Sequence, residues 1–380
     1  MITTINNKHK KLNVPNLRFP EFKGEWKKTT IGKIATIKNG PFGSVLHAED
    51  YVDEGMPIVT TEHFKNGNLP LSKNGIPQVS EDDYCRLKGY MLETDDIVFS
   101  RVGSVDINAH VEHVQQGWLF SGRVLRVRPI KSVNSLCLHY VLSTESVKRD
   151  IRNRAVGQTM PSINTPILSN TEIYMSQSEA EQKKIANLLS LLDERITTQS
   201  KIIDKLQSLI KGIADKLFQT ARTTKPLLEF APNITSGTDK SGSGTIPLYG
   251  STGIIGTVKN ASQKGNIVLV ARVGTIGTVQ YVNEPCGVSD NALIVEAGEM
   301  TKYIYHFLKT YNFTRITSGT TQPLITASSL KKAAIPTYDI ESQTRIVLCL
   351  NGLEKKLDMA KQYLSDIAVM KQYLLRQMFI

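Results

Sequence analysis

The sequence is short of most of the features that announce an enzyme or a membrane protein. It has four cysteines in 380 residues, and Cys85, Cys137, Cys286 and Cys349 show no CxxC spacing. They read as stray thiols, small buried hydrophobes in a cytoplasmic chain. His110 and His113 stand three apart, but no Cys, Glu or third His completes a ligand set, so no metal is expected. Lys, Arg or Asp interrupts every apolar run before it could span a bilayer, and no stretch reads as a leader. There is no Gly-x-x-x-x-Gly-Lys-Ser/Thr loop to cradle nucleotide phosphates. The stretch 236–244 is Gly-rich and contains Lys240, but it has neither that spacing nor a preceding strand, and reads as a flexible loop. The Asn/Asp-Pro-Pro-Tyr/Phe signature of a pocket for a flipped adenine is missing too, and Asn164-Thr-Pro166 only echoes it. These gaps argue against a self-contained catalyst.

What is present is the composition of a soluble globular chain, 40% hydrophobic and 21% charged, long enough for two domains. The net charge is +11, which favours a polyanionic partner. Two clusters carry much of it. Residues 1–28 hold seven Lys or Arg, including Lys8, Lys10 and Lys11, against Glu21 and Glu25. Residues 121–154 hold eight, from Arg123 to Arg154, against Glu145 and Asp150. Such a cluster is either a phosphate-contacting face or a solvated surface.

The chain also repeats itself. Ile97-Val-Phe-Ser-Arg101-Val-Gly103-Ser-Val105 returns as Val268-Leu-Val-Ala-Arg272-Val-Gly274-Thr-Ile276, and Gly157-Gln-Thr159-Met-Pro161 as Gly319-Thr-Thr321-Gln-Pro323. Glu181-Gln182-Lys-Lys184-Ile185-Ala returns as Ser342-Gln343-Thr-Arg345-Ile346-Val. Repeats in one order imply a duplicated domain and pseudo-two-fold symmetry. They also imply a target with two halves, as B-DNA has.

Hydrophobic periodicity divides the chain into five segments. Residues 1–20 are a flexible, basic N-terminal segment. Residues 21–175 alternate β-branched runs with Gly and Pro turns, with a helix near 136–154, and 223–338 form a second β-rich unit. Residues 176–222 and 339–380 are long helices. Ser178 and Glu181 form a capping box at the start of the first, and Asp339 caps the second. The first has apolar residues at heptad spacing: Ile185, Leu189, Leu192, Ile196, Ile203, Leu206, Ile210, Ile213 and Leu217, with Gln199 as the single polar member. The second repeats that seam 161 residues on, as Ile346, Leu350, Leu353, Leu357, Ala360, Leu364, Ile367, Lys371, Leu374 and Met378. The unbroken register predicts that the helices pair antiparallel, each about 60 Å long. The alternative is that each packs on its own β-rich domain. Two readers on such a spacer could each meet a half-site about one turn of duplex apart, roughly 34–36 Å.

The duplicated Arg-Val-Gly motif, the Gly-x-Thr-x-Pro turn and the heptad helices together resemble the specificity subunits of type I restriction–modification systems. So do the opening Asn16-Leu-Arg-Phe-Pro-Glu-Phe22 before Trp26 and the stretch Asn39-Gly40-Pro41-Phe42-Gly43-Ser44. The resemblance runs from about residue 15 to 380. It implies an α+β fold with two β-rich target recognition domains, each with its helices, separated by two long antiparallel helices. It implies a non-catalytic chain that recognises an asymmetric bipartite site on double-stranded DNA, one half per domain. It further implies docking of two modification (adenine methyltransferase) subunits and of ATP-dependent restriction subunits. S-adenosylmethionine, ATP and Mg would belong to those partners, with no cofactor in this chain and no membrane contact.

Candidate contacts follow from comparing the halves. Arg101 and Arg272 recur in one place, so they either position the DNA backbone or form structural salt bridges; an identical residue in two different readers does not specify sequence. Gly103 and Gly274 allow a tight turn or a close backbone approach. Readers belong where the halves differ. These are the loops around Thr60–His63, with Thr60 and Thr61, around Tyr249–Thr252, with Ser251 and Thr252, and around Ser121–Arg123 and Ser289–Asn291; an asparagine such as Asn291 suits an adenine edge and an arginine such as Arg123 a guanine edge, with neither base assigned. The Gly157–Asn164 and Gly319–Thr326 turns either buttress the domains or touch DNA. Outside the seam, Lys184, Arg195, Arg345 and Lys356 are either subunit contacts or a solvated face. The competing reading of the whole chain is a coiled-coil scaffold with two protein-binding β domains.

Overall fold

The computed structural model describes residues 13–41, 46, 48–319 and 323–380. Most of the basic segment expected at 1–20, with Lys8, Lys10 and Lys11, lies outside the described residues. So do Phe42, Gly43 and Ser44, and Thr321 of the second Gly-x-Thr-x-Pro turn. The chain forms two compact units: Met1–Thr197 with Ser365–Ile380, and Thr198–Leu364.

In the first unit, four antiparallel strands lie in the order Ala35–Asn39, Val124–Pro129, Ile97–Ser100, Asn108–His110. All of Ile97–Ser100 is buried, because both faces of the strand are covered. Ile97 and Phe99 join a core with Trp26, Leu138, Ile185 and Leu189. Val98 turns to a second core with Val59, Phe64, Trp118 and Phe120. A strand buried on two sides needs a continuous apolar run, which is what Ile-Val-Phe supplies. A smaller sheet orders Tyr51–Val52, Gln78–Val79, Met56–Val59 and Leu119–Phe120, the last pair parallel. Lys27–Thr30 pairs with Glu172–Met175.

The second unit repeats this plan. Its main sheet orders Thr235–Ser236, Ala292–Val295, Ile267–Ala271 and Val279–Val282. Ile267–Ala271 is again wholly buried and divided between two cores. Ile246–Tyr249 pairs in parallel with Gly287–Val288, as Met56–Val59 does with Leu119–Phe120. Thr223–Pro226 pairs with Ala334–Thr337. The duplication read from the sequence therefore holds at the level of strand pairing.

The helix expected near 136–154 is two helices, Ser135–Leu142 and Glu145–Arg154. The break falls at Thr144, whose backbone is extended with ψ of 147°. The His139 carbonyl accepts both the Ser143 N–H at 3.1 Å and the Ser143 hydroxyl at 2.9 Å, and the Val141 carbonyl accepts the Thr144 N–H at 3.1 Å and the Thr144 hydroxyl at 2.8 Å.

The long helices run Glu179–Gln219 and Ile340–Gln377. Every seam position named above is buried or half-buried. Within the first unit, Ile185 and Leu189 share a core with Leu375, Met378 and Phe379. Within the second, Ala214 and Phe218 share one with Ile346 and Leu350. In each unit the start of one helix meets the end of the other, the antiparallel sense that the register predicts.

The expected capping box forms only by half. Ser178 Oγ accepts the Glu181 N–H at 3.3 Å, but the Glu181 carboxylate does not turn back to the cap. It is fully buried, accepting from Arg18 Nε at 2.6 Å, Arg18 Nη2 at 2.9 Å, Trp26 Nε1 at 3.4 Å and the Ser176 hydroxyl. Ser176 Oγ takes the Ser178 N–H instead, at 3.1 Å. The second helix has the cap expected of Asp339, whose Oδ1 accepts the Ser342 N–H at 2.7 Å.

Candidate nucleic-acid interface

Strand Ile97–Ser100 delivers Arg101 to its end, and the backbone there is tied on both sides. The Arg101 N–H donates to the Arg123 carbonyl at 3.0 Å, and the Ile163 N–H to the Arg101 carbonyl at 2.9 Å. In the second unit the Arg272 N–H donates to the Asn291 carbonyl at 3.0 Å, and the Ile325 N–H to the Arg272 carbonyl at 3.0 Å. The neighbouring turn matches as well. Ser121 N–H meets the Val59 carbonyl at 2.8 Å, as Ser289 N–H meets the Tyr249 carbonyl at 2.9 Å. Gly103 and Gly274 have φ of +82° and +72°, in the left-handed region that glycine adopts without strain. The Arg-Val-Gly and Gly-x-Thr-x-Pro repeats are thus two parts of one device. The second motif holds the first: Gly103 N–H donates to the Pro161 carbonyl at 2.8 Å.

In the first unit, Thr60, Thr61, Arg101, Ser121 and Arg123 line one open cleft of about 550 Å³. Residues scattered over more than sixty positions of sequence meet because the parallel pair Met56–Val59 and Leu119–Phe120 ends both loops at the same edge. Glu62, within the expected Thr60–His63 loop, also lines it, as does Tyr51, which the comparison of the halves does not reach. Burial, then the charge of Asp50, pushes the Tyr51 phenol up, while Arg123 opposes them. Arg101 Nη1 donates to the Gly122 carbonyl at 3.0 Å, bracing the loop that carries Arg123. Thr60 is engaged locally: its N–H donates to His63 Nδ1 at 3.1 Å. Burial lowers the pKa of His63, which favours the neutral ring that can accept this bond.

In the second unit, Arg272 is half-buried; its Nε is inaccessible and meets no acceptor among the described residues. A Cβ on Gly274 would lie 4.0 Å from Ser251 Oγ, which puts Ser251 beside the Arg-Val-Gly turn. Gln280 Nε2 donates to the Gly250 and Ser251 carbonyls at 3.0 and 3.2 Å and so shapes that loop. Gln280 was also missed by sequence comparison, because its role is played toward backbone. Thr252 and Asn291 are exposed. Ser121 and Ser289 are buried, 8% and 5% exposed, so both belong to the turn beneath the surface.

Three of the eight basic residues of 121–154 pair with carboxylates. Arg128 pairs with Asp96 and Glu93, Arg152 with Asp106 and Glu145, and Arg154 with Asp150. Arg123 is the member that reaches the cleft. Of the helix residues outside the seam, Lys184 pairs with Glu21 and lies 4.5 Å from the Phe19 ring centroid, and Arg345 pairs with Glu341. Cys137 and Cys286 are buried as expected, whereas Cys85 and Cys349 are exposed. Among the described residues, no group of three or more His, Cys, Asp or Glu could hold a metal ion, and no helix is long and apolar enough to cross a membrane.

Comparison with known proteins places this architecture. The family model described as the type I restriction modification DNA specificity domain matches residues 23–208 and again 224–368. A candidate type I restriction enzyme specificity subunit of Methanocaldococcus jannaschii, MjaX, is 28% identical over 226 residues, 55% of this chain and 49% of that protein. The MjaVIII specificity subunit of the same organism is 25% identical over 202 residues, 53% of this chain and 43% of that protein. The chain thus spans about half the length of the curated relatives it matches. The crystal structure of a type I restriction–modification S subunit from M. genitalium shares the fold, with a TM-score of 0.66 at 19% identity, covering 97% of this chain and 99% of that one. A chain from a structural study of complex assembly in the type I system has a TM-score of 0.56 at 14% identity, covering 92% and 96%. Two copies of one family domain, matched across most of the sequence and laid on a repeated strand plan, make this chain a member of the type I restriction–modification DNA specificity family.

Proposed function

We propose that the chain is the DNA sequence-specificity subunit of a type I restriction–modification complex, acting in the cytoplasm. It recognises an asymmetric bipartite duplex site, with residues 21–175 reading one half and 223–338 the other. The helices of 176–222 and 339–380 space the two readers. The chain docks two modification subunits and the restriction subunits, and those partners carry S-adenosylmethionine, ATP and Mg and all the catalysis.

The observation that carries this reading is the hydrogen-bonded frame around Arg101, repeated around Arg272, with unlike side chains at its rim. A constant frame with a variable rim is what two readers of different half-sites require. Arg101 and Arg272 hold the DNA backbone, and Gly103 and Gly274 let phosphate approach the main chain. Thr60, Thr61 and Arg123 face one half-site, and Ser251, Thr252 and Asn291 the other. Ser121 and Ser289 build the turn.

Co-expression of the chain with its modification subunit in an unmethylated host, followed by sequencing with modification detection, tests this. One split, asymmetric methylated motif with a fixed gap is the expected result. Absence of new methylation from a soluble complex would favour the scaffold reading.

A further inference from the structure

The two units can be compared bond by bond, and the comparison isolates one short turn. In the first unit, Ser121 opens a turn whose N–H is held by the Val59 carbonyl, and the residue two later, Arg123, gives its carbonyl to the Arg101 N–H. In the second, Ser289 opens the same turn on the Tyr249 carbonyl, and the residue two later, Asn291, gives its carbonyl to the Arg272 N–H. The turn then closes alike: Val124 N–H meets the Ser121 carbonyl at 2.9 Å, and Ala292 N–H the Ser289 carbonyl at 3.3 Å. Main chain, register and first residue agree. The side chains between them do not: Gly122 stands against Asp290, and the exposed Arg123 against the exposed Asn291.

Both residues spend their carbonyls on the frame and leave their side chains at the surface. Arg123 projects at the cleft that Thr60, Thr61 and Arg101 line. Arg101 supports it from below by donating to the Gly122 carbonyl. Arg and Asn each present paired groups matched to a purine edge. Arg offers two donors to guanine O6 and N7, and Asn a donor and an acceptor to adenine N7 and N6.

We infer that positions 123 and 291 are the equivalent specificity-determining positions of the two recognition domains, with Arg123 reading a guanine in one half-site and Asn291 an adenine in the other. This rests on the specificity-subunit reading. Ser121 and Ser289 are excluded from the role because they are buried and identical, and the position after them because Gly122 has no side chain to offer a base. The frame explains how one fold can read two different half-sites. Exchange of one exposed side chain changes the pattern offered to the base edge, and no hydrogen bond of the frame is lost.

The experiment is methylation mapping of the full chain with its modification subunit, comparing wild type, Arg123→Asn, Asn291→Arg and Arg123→Lys. Arg123→Asn is expected to change or relax a single guanine position in one half-site, with the other half and the gap intact. Asn291→Arg is expected to change one adenine position in the opposite half. Discrimination at the affected position should fall about 10- to 100-fold. If Arg123→Asn abolishes methylation, Arg123→Lys decides, since it keeps the charge and loses the two-pronged geometry. Relaxation at one guanine supports the assignment. The unaltered motif at uniformly lower occupancy, or loss of all methylation, overturns it. The wild-type motif retained in both exchange variants overturns it as well. A wild-type chain that directs no methylation would instead defeat the underlying specificity-subunit reading.

Discussion

Lys371 on the second long helix places its ammonium 2.5 Å from the carboxylate of Asp193 on the first. Its sequence position is a seam position, where the first helix has Ile210, so a charge stands where an apolar side chain is expected. The structure accounts for it. Asp193 also accepts the Tyr140 hydroxyl at 2.8 Å, and Lys371 lies 5.6 Å from the centre of that tyrosine ring. Three side chains of the first unit thereby satisfy one another. Glu354, 161 residues beyond Asp193, does the same work in the second unit, pairing with Lys309 and accepting from the Tyr305 hydroxyl at 3.4 Å.

Asp193→Ala should therefore cost more than a surface ion pair, because it strands a half-buried ammonium and a hydroxyl. A loss of about 1–3 kcal/mol is expected. A double-mutant cycle with Lys371→Ala, read by denaturant unfolding, should show coupling of about 0.5–1.5 kcal/mol. A coupling near zero would mean that the pair is decorative.

The Glu181 cluster predicts acid sensitivity. Burial pushes this carboxyl up, but hydrogen bonds from Arg18 and Ser176 and the charge of Arg18 outweigh it and hold the group below its ordinary value of 4.5. A depressed carboxyl adds stability above its unfolded pKa and loses it as pH falls through the folded value. The stability of wild type over Glu181→Gln should be full at pH 7 and shrink below about pH 4.5, as measured by thermal unfolding across that range. Glu181→Ala should be worse at neutral pH, by about 3–5 kcal/mol, since it leaves Arg18 unpaired.

Gln199 is the polar member of the first seam, and its Nε2 donates to the Ala360 carbonyl at 3.0 Å within the second unit. That carbonyl belongs to a continuous helix and has a backbone partner available. Gln199→Leu should leave the unfolding midpoint unchanged or raise it, by up to about 1 kcal/mol of stability. A polar seam residue of this kind specifies register at a cost in stability. A marked fall in the midpoint would show that the amide contributes more than register.

Arg101→Ala and Arg272→Ala should each weaken duplex binding without changing the methylated motif. If each arginine holds a phosphate, the salt dependence of binding should flatten by about one counterion per substitution. Fluorescence titration of cognate and scrambled duplexes at several salt concentrations reads this directly. A loss confined to the cognate duplex would transfer these arginines to base reading.

Sequence alone determined the duplication, the two helices and their antiparallel sense. Those features are written in periodicity: a heptad seam kept in register over more than thirty residues admits few partners, and a repeated Arg-Val-Gly needs no coordinates to be seen. The family followed from the same repeats. Tertiary structure decided what lies far apart in sequence. It split the helix of 136–154 at Thr144, whose backbone is extended and whose hydroxyl bonds the Val141 carbonyl. It took Glu181 from the helix cap to Arg18 and Trp26, and paired Arg128, Arg152 and Arg154 of the basic cluster with local carboxylates. It showed that the Gly-x-Thr-x-Pro turn is the clasp of the Arg-Val-Gly turn. It also gave the paired loops of Arg123 and Asn291 a common frame, since each residue gives its carbonyl to the arginine of its own Arg-Val-Gly motif. Local periodicity reports which face of an element is buried; only the folded chain decides which distant polar groups find one another there.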